Sequence, residues 1–292
     1  MSSSTTDRRP PPADRAQRMG TEPVPRLLLE FSLPVMTGMV VQALYAVVNR
    51  AFIGNAPEAA RTGMAAITVG MPIVLISMAF GGLVAFGGAA ALSIDLGEQD
   101  QGRAERAVST SLVLSALIGV VLTVAGLAAL DPLLVLLGAA HDVLPAARDY
   151  NRLLLLSTIP GNVGFAMSSL IRAEGNPAKS MRIMIVSALC NAALDYLFIM
   201  VLHWGVRGAA TATLLAQTLS ATLALAYYMN GRSHVRLRFR PREPGPALDP
   251  AIARRILALG SSAFFMQLAN SFVQFVLNRR LSQYGGDLAL AS

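Results

Sequence analysis

An aspartate and an asparagine in the apolar segment CNAALDYLFI, residues 190–199, are the residues best placed to do chemistry. Asp195 lies four positions after Asn191, so the two side chains share one face of a helix. An ionised carboxylate in hydrocarbon is costly unless it is paired, protonated or directed into a helix bundle. The pattern therefore predicts an interior site at which Asp195 and Asn191 bind a proton or a sodium ion.

The other reactive residue types lack the arrangement that a catalytic or metal centre needs. The single cysteine, Cys190, has no partner for an internal disulfide, and His141, His203 and His234 are scattered without ligand spacing. The sequence shows no serine nucleophile motif with a histidine and no pair of intramembrane aspartates. We therefore expect no enzyme activity and no cofactor.

Composition indicates what must position these residues. The chain of 292 residues is 54% hydrophobic and 14% charged, with a mean hydropathy of +0.53, whereas soluble domains carry roughly 25% charged residues. The net charge of +7 could suggest nucleic-acid binding. The basic residues, however, fall in short gaps between apolar runs, as in membrane proteins. We expect membrane lipid around the chain and no nucleic-acid partner.

Apolar segments of about twenty residues cross a bilayer as helices. Seven segments qualify: 27–52, 63–92, 107–130, 145–171, 180–202, 205–229 and 251–282. They predict an all-α polytopic membrane protein with a six-helix transmembrane lobe and the first helix of a second lobe. The predicted divisions are a disordered cytoplasmic tail (1–26), the lobe (27–231), a basic cytoplasmic loop (232–250) and the seventh helix (251–292).

The distribution of basic residues predicts the orientation. With the N-terminus in the cytoplasm, 17 of the 24 lysine and arginine residues fall on the cytoplasmic side. We therefore expect a multi-pass protein of the cell (inner) membrane with a cytoplasmic N-terminus.

An internal similarity relates the first and seventh spans. At an offset of 229 residues, Arg26 matches Arg255, and the pair Asn49–Arg50 matches Asn278–Arg279. The match predicts that a second copy of the lobe begins at the seventh span. On this interpretation the chain is truncated, and a complete chain would carry a second lobe that is missing here.

Several motifs together resemble the multidrug and toxic compound extrusion (MATE) family. They are LPVMTGMVVQALYAVVNRAFIG (33–54), IRAEGNP (171–177), NAALDYLFI (191–199), GVRGAATAT (205–213) and FFMQLANSFVQFVLNRRLSQYGGDLALA (264–291). The resemblance implies two six-helix lobes around a cavity that opens alternately to each side. It also implies export of small cationic or amphipathic molecules, including drugs, in exchange for H⁺ or Na⁺.

The same resemblance implies further site residues. Gln42 and Asn49 in span one, Tyr150 in span four and Thr213 in span six would complete a polar pocket around Asp195. The resemblance implies ion coupling by Asp195, Asn191, Asn49, Thr213 and Tyr150, with a sodium ion held by Asp195, Asn191 and Thr213. It implies substrate contacts from Gln42, Asn49 and Asn191. Asn49 departs from the family pattern, which usually has an aspartate there, and an amide does not titrate.

Other readings of the sequence remain open. A lipid-linked oligosaccharide flippase of the same superfamily would need a more cationic cavity than these spans provide, and a non-functional transporter fragment would lack half of the machinery. A seven-helix receptor is disfavoured by the cytoplasmic N-terminus. Of the other acids, Glu30 and Asp95 are expected near span ends, within reach of water. Arg172 is expected to pair with Glu174 or with a neighbouring loop.

Overall fold

The computed structural model describes residues 60–137, 139, 143–230, 233, 235 and 248–289, together with isolated positions between 32 and 47. The isolated positions are helical, and every regular element in the described residues is a helix. The predicted tail (1–26), most of the first span and most of the basic loop lie outside the described residues.

Seven α-helices and one π-helical turn follow each other along the described chain. They are α1 (Ala60–Gly97), α2 (Gln101–Ala128), α3 (Leu130–Leu136), α4 (Leu144–Ala173), α5 (Pro177–Asp195) with the π-helical turn Tyr196–Val201, α6 (Gly205–Met229) and α7 (Pro250–Ala289).

Five helices in the described residues are long and apolar enough to cross a membrane. They are Ala66–Gly97, Gln101–Ala128, Leu144–Ala173, Pro177–Val201 and Gly205–Met229. They correspond to spans two to six of the sequence prediction, and the bounds of α6 are the predicted ones. The fold is therefore the all-helical membrane fold that the hydropathy pattern predicts.

Helix α3 was not predicted, because its seven residues are too few for a membrane span. It follows α2 almost directly and packs on the first turns of α4. The guanidinium of Arg148 donates two hydrogen bonds to Asp131, at 2.7 and 2.8 Å. This bidentate pair joins α3 to α4 at one end of the bundle.

Small residues allow the helices to approach closely, as the glycine-rich spans predict. A Cβ on Gly119 of α2 would lie 2.9 Å from the Cα of Ile159 in α4. A Cβ on Gly164 of α4 would lie 3.2 Å from the backbone nitrogen of Ala221 in α6. The helix α4 is thus held between α2 and α6 by direct backbone contact.

One end of the bundle holds the connections from α1 to α2, from α4 to α5 and from α6 to α7. This end is called the basic end here. Its turns comprise residues 98–100 and 174–176, and Gly175 adopts a φ of 81° in the second of them. The main hydrophobic core includes Leu92, Met167 and Ile256, which are buried and come from three different helices. Helix α7 therefore contributes to the core of the lobe.

Candidate functional site

Asp195 lies at a change in helix geometry. It is the last residue of α5, and the π-helical turn Tyr196–Val201 begins at the next position. The turn is closed by a hydrogen bond from the backbone nitrogen of Leu202 to the carbonyl oxygen of Leu197, at 2.9 Å. Single π-helical turns within helices frequently occur at functional sites. The widened turn is what orients the residues that follow Asp195.

The carboxylate of Asp195 is enclosed by protein. The residue is 0% exposed, and Asn191 one turn earlier is 2% exposed. Neither carboxylate oxygen, and neither polar atom of the Asn191 amide, has a hydrogen-bond partner among the described residues. The prediction that the two residues share a buried face is confirmed, but the expected hydrogen bonds from neighbouring side chains are absent in this part of the chain.

This arrangement favours two chemical states. An ionised and unpaired carboxylate that is excluded from water has a high free energy, because nothing replaces its hydration. Binding of a proton removes the charge, and binding of a small cation compensates it. The unpaired oxygen of the Asn191 side chain could accept a hydrogen bond from the protonated acid, or it could be a neutral ligand for the cation.

The turn between α5 and α6 holds the π-helical segment in place. The rings of Phe198 and Trp204 stack with centroids 5.1 Å apart, and the backbone nitrogen of Trp204 donates to the carbonyl oxygen of Phe198 at 2.9 Å. A Cβ on Gly208 would come within 3.1 Å of that same carbonyl oxygen. The first turn of α6 therefore packs directly on the π-helical segment.

Tyr150 lies close to the same segment, and Thr213 lies further along α6. Tyr150 of α4 is partly buried and packs against a small core formed by Ile199, Val206 and Ala209. Ile199 is on the stripe that continues Asn191 and Asp195 by one turn. The hydroxyl of Thr213 donates to the carbonyl oxygen of Ala209 at 3.0 Å, which leaves its oxygen lone pairs free to accept or to bind a cation.

Two of the six predicted site residues, Gln42 and Asn49, lie outside the described residues. The structure places Tyr150 against the π-helical turn that follows Asp195, and Thr213 one turn after Ala209 of the same small core. It leaves their ligand roles as predictions.

Polar side chains that the sequence analysis did not select also lie inside the lobe. Gln217 is one turn after Thr213, and its Oε1 has no partner among the described groups. A Cβ on Gly161 would meet that oxygen, so Gln217 packs on α4 directly after Pro160. Asn151 and Asn162 also carry an unpaired buried polar atom. The signal that could have found Gln217 is its i+4 spacing from Thr213.

Two expectations about acids were wrong. Asp95 is 1% exposed and not open to water. Its carboxylate is 2.6 Å from Nη1 of Arg255 and 3.7 Å from Nε of Arg103. The sequence suggested solvent access because Asp95 ends a span, but α7, 160 positions later, covers it.

The expectation that Arg172 would pair with Glu174 or with a neighbouring loop was also wrong, because in the described part of the chain its guanidinium contacts α4 and α5. The guanidinium of Arg172 donates to the hydroxyls of Ser180 and Ser169, at 3.0 and 2.7 Å. Glu174 accepts from Ser233 at 2.8 and 2.9 Å and from Tyr227 at 3.3 Å. Glu174 follows Arg172 by two positions at the end of α4, and residues so spaced on a helix do not face each other, so the two side chains diverge.

Within the described residues, no group of three or more His, Cys, Asp or Glu side chains is placed to hold a metal ion. A sodium ion at Asp195 would therefore depend on one carboxylate and on neutral oxygens. The unpaired oxygens of Asp195 and Asn191 fit that chemistry, because Na⁺ is a hard cation that prefers oxygen ligands.

The described residues contain five helices that are apolar enough to cross a membrane, and one of them carries a buried carboxylate, so they define a multi-pass membrane protein with a polar group in its interior. The MatE family model matches residues 34–197. The chain therefore belongs to the MatE family, as its motifs predict.

Relatives and solved structures agree with this assignment. The multidrug export protein MepA of Staphylococcus haemolyticus (strain JCSC1435) is 30% identical over 267 residues, which cover 91% of this chain and 58% of that protein. A crystal structure of MATE in the bent conformation is 27% identical, with a TM-score of 0.81 over 91% of this chain and 58% of that one. A MOP superfamily transporter from Pyrococcus furiosus Vc1 (DSM3638) is 28% identical, with a TM-score of 0.81 over 91% and 57% of the two chains.

The chain spans about 58% of the length of the curated relatives it matches.

Proposed function

We propose that this chain is the ion-coupling part of a multidrug efflux transporter, which exports cationic or amphipathic small molecules in exchange for H⁺ or Na⁺ by alternating access. The observation that carries the proposal is the pair Asn191 and Asp195, which are both buried and both unpaired among the described groups. The MatE family model and the relatives named as multidrug export proteins support it.

The proposed cycle depends on the free-energy cost of keeping the ionised carboxylate of Asp195 away from water. When the site opens to the side with more H⁺ or Na⁺, Asp195 binds the cation. The charge of its carboxylate is then compensated and no longer opposes closure of the site. When it opens to the other side, water hydrates the carboxylate and the cation leaves. Thr213 would add a hydroxyl oxygen and Tyr150 a ring beside the π-helical turn.

The substrate class follows from the charges of the lobe. Among the described residues, the arginine ion pairs lie at the two ends of the lobe and not beside Asp195. An organic cation or an amphipathic molecule suits such an interior better than a lipid-linked diphosphate does. The flippase alternative would require cationic side chains at the depth of Asp195.

The proposed orientation puts the N-terminus and the basic end in the cytoplasm of a cell (inner) membrane. Three groups of basic residues at that end support it, namely Arg103 and Arg106, Arg172 and Lys179, and Arg254 and Arg255.

The test is export of ethidium from an efflux-deficient host that expresses the two-lobe transporter carrying this chain. Asp195→Asn should abolish export while the amount of protein in the membrane is unchanged. The matched control is Asp131→Asn, which removes an exposed acid and should keep export at the parent level. Export by Asp195→Asn at the parent rate would remove Asp195 from the mechanism.

A further inference from the structure

The polar face of α5 continues beyond Asn191 to a third residue, Ser187. Ser187, Asn191 and Asp195 follow one another at intervals of four positions, so their side chains form a row along one side of the helix. Helix α5 begins at Pro177, at the basic end, so Ser187 is the member of the row nearest to that end. Beyond Asp195 the next turn carries Ile199, which is buried in a small apolar core. The polar row therefore extends from Asp195 towards the basic end.

The hydroxyl oxygen of Ser187 is buried and has no hydrogen-bond partner among the described groups. Serine and threonine hydroxyls inside helices commonly donate to a carbonyl oxygen of the preceding turn. Ser77, Ser115 and Thr218 of this lobe do so, at 3.0, 2.9 and 2.7 Å. The hydroxyl of Ser187 does not, so the lone pairs of its oxygen are open to a ligand.

Packing explains the other buried serine oxygen that lacks a partner in the described part of the chain. A Cβ on Gly88 of α1 would lie 2.5 Å from the Oγ of Ser111, so that hydroxyl lies against the backbone of the neighbouring helix. Ser187 instead shares its lack of a partner with Asn191, whose side-chain oxygen and nitrogen are both buried and unpaired one turn away. Two neighbouring residues of one helix face thus present unused oxygens to the interior.

The polar row ends at Ser187. Ile183, one turn nearer the basic end, is 3% exposed and belongs to the main hydrophobic core. The next buried polar side chain on this face, Ser180, accepts a hydrogen bond from the guanidinium of Arg172 at 3.0 Å. A cation would be repelled by that guanidinium. Ser187 is therefore the last unpaired oxygen on α5 between Asp195 and the basic end.

One sodium ion cannot contact Ser187 and Asp195 together. The two residues are eight positions apart, which is about 12 Å along the helix. Asn191 lies midway, about 6 Å along the axis from each of them. Its carboxamide oxygen is therefore within reach of an ion on either side. Two adjacent positions result, one between Asp195 and Asn191 and the other between Asn191 and Ser187.

We propose that Asn191 and Ser187 form a second position for a sodium ion, one helical turn from Asp195 on the side of the basic end. The ligands are the Oδ1 of Asn191 and the Oγ of Ser187, neutral oxygens of the kind that hard cations prefer. The carboxylate of Asp195 attracts the ion from one turn away. This position rests on the proposed function, in which an ion that leaves Asp195 for the basic end would occupy it next.

The test moves the carboxylate from position 195 to position 187 and measures stabilisation by sodium. The chain, with Glu174→Gln as background, is unfolded chemically at pH 8 in NaCl and in choline chloride of equal concentration. Asp195→Asn should abolish the extra stability that NaCl gives. Adding Ser187→Asp to Asp195→Asn should restore it, because the charge then lies at the second position and Asn191 remains beside it.

Two further variants control for the added charge. Ala188→Asp, combined with Asp195→Asn in the same way, places an acid at the next position and on another face of the helix, so it should restore nothing. Asn191→Leu, added to the Asp195→Asn and Ser187→Asp pair, should abolish the restored response, because it removes the oxygen that the two positions share.

Ser187→Ala examines the position without a new charge. For an ion divided equally between two positions, the loss of one should raise the half-saturating NaCl concentration about twofold. Ser187→Thr keeps the hydroxyl and should match the parent. Ser115→Ala is the matched control, because that buried hydroxyl already donates to the carbonyl oxygen of Leu112, and it should leave the half-saturating concentration unchanged.

Three outcomes would overturn the second sodium position. They are a folded Asp195→Asn and Ser187→Asp protein without a response to sodium, an equal response from the Ala188→Asp control, and an unchanged half-saturating concentration in Ser187→Ala. Failure of the proposed function looks different, because the parent would then respond neither to sodium nor to a change from pH 8 to pH 6. A parent that responds to pH alone would leave the proton as the coupling ion and would exclude the sodium position.

Discussion

The carboxylate of Asp95 lies 2.6 Å from the guanidinium of Arg255, and the two residues are separated by 160 positions in the chain. The pair joins the last turn of α1 to the second turn of α7. Because Asp95 is 1% exposed, the acid depends on this contact for most of its compensation. The relationship shows that α7 is part of the first lobe's packing, although the internal repeat assigns it to a second lobe.

The first prediction concerns the stability that this pair provides. Arg255→Gln leaves a buried carboxylate with Arg103 as its only cation among the described residues, and we expect the free energy of unfolding to fall by about 3 kcal/mol. The control is Arg148→Gln, whose partner Asp131 is half exposed, and for which a loss of about 1 kcal/mol or less is expected. Chemical unfolding in detergent would measure both, and equal losses would contradict the burial argument.

The second prediction concerns the helix crossing. Gly260→Ala places a methyl group against the carbonyl oxygen of Leu83, so α7 must shift outward. We expect a loss of roughly 1–3 kcal/mol, as for overpacked cores. Gly97→Ala, at the end of α1, is the matched control because nothing lies within 4 Å of its added Cβ. Thermal unfolding should place Gly97→Ala at or above the parent; a Gly260→Ala variant as stable as the parent would rule out the close crossing.

The third prediction concerns pH. Burial raises the pKa of Glu174 from 4.5 to about 7, while hydrogen bonds from Ser233 and Tyr227 act in the opposite direction. The folded state therefore holds this proton more tightly than the unfolded state. The corresponding stability is present below pH 4.5 and is lost as pH rises through about 7.

Glu174→Gln removes this titration. Between pH 5 and pH 8 the parent should lose about 2 kcal/mol more stability than the variant does. Ser233 can still donate to the amide oxygen, so the variant should keep its hydrogen bond. Unfolding curves at the two pH values provide the measurement. Parallel pH dependence in the two proteins would show that Glu174 has an ordinary pKa.

The fourth prediction separates stability from ion binding at the site. Both polar atoms of the Asn191 side chain are buried without a partner among the described groups. Asn191→Leu, of similar size, should therefore raise the free energy of unfolding by about 1 kcal/mol or more. If the amide binds the coupling ion, the same change in a Glu174→Gln background, which removes the other pH-dependent contribution, should abolish the stabilisation that added NaCl gives. Cys190→Leu, at the preceding position and on another face, should leave that response unchanged.

Hydropathy predicted the spans well because a helix in lipid must satisfy its own backbone groups, so length and apolarity decide where it lies. It predicted the buried face of Asn191 and Asp195 for a related reason, since i,i+4 spacing is local. The π-helical turn Tyr196–Val201 carries no such local signal. The burial of Asp95 has no local signal either, because it depends on a helix 160 positions away.

Contacts between distant parts of the chain explain the remaining differences. The sequence suggested that Arg172 would pair with Glu174, two positions later, or with a neighbouring loop. In the structure Glu174 accepts hydrogen bonds from Tyr227 and Ser233, which are 53 and 59 positions away in the chain. Tyr150 and Thr213 were selected by family resemblance, and only packing places Tyr150 beside Ile199.

The central claim is that Asp195 exchanges a proton or a sodium ion within the lobe. Infrared difference spectroscopy of the purified chain, with Glu174→Gln as background, tests it most directly. Raising the pH or adding NaCl should remove a protonated-carboxyl band that is missing from Asp195→Asn and present in Asp131→Asn. Identical difference spectra for the background protein and its Asp195→Asn variant would contradict the account.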